Sequence, residues 1–111
     1  IMRMAKAWQP IADVLNGTAP NRVHGEMGVY QLADSDQQVI FIGYAGGRSR
    51  FGLRGEIGEF ETTAPGSVFV RFEITTSYLS RYQELLMIHQ ADHGRFPVCN
   101  PPVPVGRLSP G

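Results

Sequence analysis

Three arginines, Arg48, Arg50 and Arg54, stand close together, and no acidic residue falls between Gly43 and Arg54. They follow a Gly-rich stretch, Ala45-Gly46-Gly47, so positive charge and bare backbone are concentrated in one segment. Guanidinium groups grip phosphate oxygens in pairs, so the chemistry that this segment suits is phosphate binding. The plainer alternative is an ordinary solvated surface. Tyr30 offers a phenol, although a tyrosine there is equally at home packing its ring in a strand. Glu84 follows Arg81 by three residues, which is the spacing of a helix-surface ion pair. His89 and His93 have the spacing of a metal-binding pair. At about 100° per residue, however, His93 points roughly opposite to Glu84, and no zinc site is read. Cys99 has no visible activating partner and reads as inert.

Positioning these groups requires a scaffold. Two apolar runs, residues 28–32 and 39–43, flank the turn-prone Asp34-Ser35-Asp36-Gln37, which is a hairpin signal. The strands are expected over 26–32 and 38–43. The acidic turn repels phosphate, so an anionic ligand should approach the hairpin's other end, where the arginines lie. Ahead of the hairpin, residues 7–17 predict a short amphipathic helix, with Pro10 in its first turn and Gly17 as its stop. Trp8 reads as a core or interface plug and His24 as a surface histidine. Residues 50–60 place Leu53, Ile57 and Phe60 at helical spacing, but three glycines weaken that helix. Residues 68–75 alternate Val68, Val70, Phe72 and Ile74 against Phe69, Arg71, Glu73 and Thr75, which predicts a third strand. The longest helix should run from a cap at Thr76 or Ser77 to Gly94, with Tyr78, Leu79, Tyr82, Leu85, Leu86 and His89 facing inward.

The 111 residues suffice for one core without disulfides. Ten basic residues balance ten acidic ones, which disfavours a strong nonspecific polyanion binder. Nine of the ten bases are Arg, so a local phosphate patch remains compatible with zero net charge. No apolar run approaches the roughly 18 residues of a membrane span, and no signal peptide is read. The single Cys99 suits a cytoplasmic setting.

Gly28-Val29-Tyr30, ten intervening residues and Phe41-Ile42-Gly43 closely resemble the signature of the GIY-YIG nuclease superfamily. An arginine opening a helix after the Gly-rich loop, Glu84 on the long helix and Pro97-Val98-Cys99-Asn100 follow in the family's order, so the resemblance covers about residues 26–100. It implies an α/β (α+β) domain, a small three-stranded antiparallel sheet flanked by helices, in a small stand-alone member. The chain divides accordingly into an N-terminal helix and linker over 1–25, the GIY-YIG-like domain over 26–100 and a Pro-rich tail over 101–111.

The resemblance further implies metal-dependent hydrolysis of DNA phosphodiesters. Tyr30 would activate water, Glu84 would hold a single Mg²⁺ or Mn²⁺, and Arg54 would contact the scissile phosphate, with Arg50 as its rival. Arg48 and Arg50 would steady the phosphate, Phe41 and Gly43 would wall the site, and Asn100 would support the fold around the glutamate helix. The second signature tyrosine is Phe41 here, which lacks the hydroxyl; Tyr44 could supply one from the strand end. That substitution and the neutral charge motivate the alternative, a non-catalytic nucleic-acid-binding or protein-interaction module on the same fold. DNA is the expected partner, with a homodimer or protein partner possible and no membrane.

Overall fold

The computed structural model describes residues 2–20 and 23–101. Its elements run β1 (Gln9–Pro10), α1 (Ile11–Asn16), β2 (Gly28–Ala33), β3 (Val39–Ala45), α2 (Gly52–Gly58), α3 (Phe60–Thr63), β4 (Phe69–Ile74) and α4 (Tyr78–His93). The architecture is α+β, with helices covering an antiparallel sheet in the order β1-β4-β2-β3. The three expected strands form this sheet, and the two-residue β1 adds a fourth by pairing Gln9 and Pro10 with Val70 and Phe69. Pro10 therefore stands just before α1, with extended backbone at φ −57° and ψ 135°, rather than inside its first turn. The tail from residue 102 onward, and Asn21 and Arg22 of the linker, lie outside the described residues.

β2 is the middle of the three long strands and is buried along its whole length. Its alternate side chains feed two cores. Tyr30 and Leu32 join Ile11, Val14, Leu53, Ile57, Val70 and Phe72 on the face covered by α1 and α2. Val29 joins Ile42, Leu85, Leu86 and Met4 on the face covered by α4. A buried aliphatic side chain contributes about 1.5–3 kcal/mol, so both faces are firmly held.

The helices end where their glycines allow. Gly17 and Gly94 adopt left-handed φ values of 83° and 76°, closing α1 and α4. The glycine-laden stretch after the hairpin forms a short α2 and then the four-residue α3 instead of one continuous helix. Buried Leu53 and Ile57 hold α2 to the sheet. Among the described residues, no helix is long and apolar enough to cross a membrane.

Candidate functional site

A cleft of about 820 Å³ opens at the end of the hairpin opposite the acidic turn. Tyr30, Phe41, Gly43 and Tyr44 reach it from the sheet, residues 46–50 from the following loop, Glu56 from α2, Tyr78, Leu79 and Tyr82 from α4, and Cys99 from the C-terminal segment. Pairing places Tyr30 directly opposite Gly43. That register requires glycine: a Cβ at position 43 would sit 2.5 Å from the Tyr30 ring and hydroxyl. Gly46 plays the same part in the loop, where a Cβ would sit 2.6 Å from the Tyr78 ring. The missing side chains let two tyrosines lie against backbone.

On α4, Tyr78 and Tyr82 are one turn apart and therefore face the same way. Tyr78 stacks on Tyr44 with ring centres 5.7 Å apart and planes at 20°, and Tyr82 meets Tyr44 edge-on at 4.9 Å. These are favourable aromatic geometries. Tyr44 nevertheless remains 39% exposed. Arg48 and Arg50 are exposed on the loop, and neither forms an ion pair among the described residues. The Arg50 guanidinium lies 5.6 Å from the centre of the exposed Phe51 ring. Asn100 braces the cleft's back wall: its amide donates to the Ile42 carbonyl and accepts from the Ile42 N–H, both at 2.9 Å.

The structure separates residues that the family pattern would group. Leu53 and Ile57 fix the rotation of α2, and Arg54 is exposed and does not line the cleft. Two residues along a helix is about 200° of turn, so Glu56 presents to the cleft where an arginine was expected. The same rotation operates on α4. Tyr82 faces the cleft, whereas Glu84, about 200° further round, lines another cavity with Met2, Arg3, Lys6, Glu73 and Arg81. Arg81 bonds the Glu84 carboxylate and also donates to Glu73 at 2.8 and 3.0 Å. The helix-surface alternative for Glu84 is thus the contact that forms.

A divalent cation at Glu84 would have to compete with the chain's own Arg81. One Glu84 oxygen is engaged by Arg81, and Arg3 and Lys6 line the same cavity together with the Glu73 carboxylate. Among the described residues, no three His, Cys, Asp or Glu side chains cluster. Tyr30 is likewise unsuited to acting as a base. It is 2% exposed, and burial first, then the charge of Glu56, push its phenol far above the ordinary value, so it keeps its proton. Burial also raises Tyr82, with the nearby Tyr44 adding to the shift and Asn100 opposing it.

Tyr30, Phe41, Gly43, Tyr44, Arg48 and Arg50, all singled out from the sequence, do come together. Glu56, Tyr78 and Tyr82 were not assigned to the site. The signal for Glu56 is its place three residues after Leu53; for the tyrosines, it is their one-turn spacing at the start of α4. His89 and His93 lie elsewhere, with rings 4.3 Å apart, and burial as the largest cause lowers the pKa of His89. Trp8 lies in neither core cluster, and the Arg71 guanidinium lies 4.2 Å from the centre of its ring.

No curated protein and no solved structure matches the chain. A family model described as a domain of unknown function (DUF7508) matches residues 2–92, and the chain belongs to that family.

Proposed function

We propose that the cleft binds a nucleic-acid strand and that the chain is a non-catalytic nucleic-acid-binding module on a GIY-YIG-like fold. The observation that carries this reading is the company of the aromatic rings. Tyr44 and Tyr78 form a platform at the mouth of a cleft whose loop also presents Arg48 and Arg50. Bases stack on aromatic faces while arginines follow the phosphates, and stacking contributes about 1–3 kcal/mol per base. The resemblance of the hairpin to nucleases of DNA makes DNA the first partner to test. A cytoplasmic setting suits that role, with the chain acting alone, as a homodimer or beside a protein partner. Salt-dependent binding of labelled DNA, weakened in an Arg48→Ala/Arg50→Ala variant, is the expected result. Equal binding by both proteins would remove the cleft from the interaction.

A second reading, phosphodiester hydrolysis, is favoured by the meeting of Tyr30, Phe41 and Arg50 in this same cleft. Separation of Glu84 and Arg54 from them weighs against it. The discriminating experiment is incubation of linear, nicked and branched DNA with Mg²⁺ or Mn²⁺. No cleavage is expected; cleavage by the wild type that disappears in Glu84→Ala would restore the enzyme reading.

A further inference from the structure

Resting on the nucleic-acid reading above, we infer that the cleft takes an unpaired guanine, whose Watson–Crick edge donates to the Glu56 carboxylate. Glu56 is a carboxylate lining a cleft with two arginines, and it forms no ion pair among the described residues. A negative group beside a phosphate-binding loop opposes the phosphate, so it is suited to receive donors from another part of the ligand. Guanine is the base whose N1–H and exocyclic N2–H₂ stand side by side and meet two carboxylate oxygens together. Cytosine and adenine offer one exocyclic amine on that edge, and thymine offers one ring N–H.

The platform sets the strand state. Stacking on Tyr44 or Tyr78 needs an open base face, and contact with Glu56 needs an open Watson–Crick edge; a duplex covers both. The cleft is also large enough for a base with its sugar and phosphate, at about 820 Å³. Tyr44 and Leu79 are 39% and 51% exposed at its mouth, leaving an apolar face open to an incoming ring.

The test is fluorescence anisotropy with short oligothymidylate strands, each carrying one central dG, dA or dC or left as all dT, and with a duplex of the dG strand. The dG strand should bind about tenfold tighter than the all-dT strand, the scale of a bidentate base contact. In Glu56→Gln, a near-isosteric change, that ratio should fall close to one, with the variant's fold checked by its melting curve. Equal binding of all single strands by the wild type would overturn guanine recognition while leaving nucleic-acid binding intact. A guanine preference that survives in Glu56→Gln, or tighter binding of the duplex, would also overturn it. Binding to none of the strands would remove the underlying nucleic-acid reading itself.

Discussion

Two charged regions flank α4, and they are built in opposite ways. On one side, Arg81 is shared between Glu73 and Glu84 and also donates to the Met2 carbonyl, while Arg3 pairs with Asp92 at 3.0 Å. On the other, Arg48, Arg50 and Glu56 surround an aromatic cleft and form no ion pairs among the described residues. Charges that satisfy one another hold the N-terminal segment against the helix. Charges without a partner are available to a ligand. A glutamate's position on a helix therefore says less about its chemistry than the side from which a cation reaches it.

That contrast can be broken by experiment. The largest effect is expected from Gly43→Ala, whose Cβ meets the buried Tyr30 ring; overpacking of this kind costs about 1–3 kcal/mol, visible as a lower melting temperature together with weakened DNA binding. Arg81→Met should cost about 1–2 kcal/mol by leaving Glu73 and Glu84 without their donor, yet leave DNA affinity unchanged. Comparing chemical denaturation with anisotropy separates the two regions. Arg48→Ala/Arg50→Ala should do the reverse, lowering affinity about tenfold and flattening its salt dependence while the melting curve stays within about 0.5 kcal/mol of wild type.

Acid should act through the paired region. Hydrogen bonding from Arg81, as the largest cause, lowers the Glu73 pKa below its ordinary 4.5. A carboxylate depressed in the folded state stabilises the protein above the unfolded value and loses that contribution as pH falls through the folded one. Wild-type stability should therefore decline below about pH 4.5, and Glu73→Gln should flatten that decline in denaturant titrations at stepped pH. The smallest effect belongs to Glu84→Ala. It should cost under about 1 kcal/mol and leave DNA affinity unaltered; a large loss of affinity would join the two regions into one site.

The hairpin and the long helix were legible because alternation, helical spacing and turn residues are local signals; the register was not, since it shifts between Leu32 and Ala33. β1 was not, because two residues, one of them a proline, become a strand only when Val70 and Phe69 pair with them. The break between α2 and α3 was foreshadowed by the glycines but not located by them. In the site, the hairpin and loop residues were readable as a group since they are neighbours in sequence. The helical contributors were harder to place: two residues of helix rotation, about 200°, separate an outward side chain from an inward one. Only the packing of Leu53 and Ile57 fixes Arg54 outside the cleft and Glu56 within it, and Leu85 and Leu86 do the same for Glu84 and Tyr82.

β3 is the last strand of the sheet, and an outermost strand with free peptide groups is a template on which another chain can polymerise. Here the Cys99 N–H donates to the Ile40 carbonyl at 2.9 Å, and the Asn100 side chain occupies both peptide groups of Ile42. The C-terminal segment thereby blocks strand addition at the middle of that border. Self-association through it would first have to peel residues 99–100 away, so the brace behind the cleft also guards the protein against growing into fibrils.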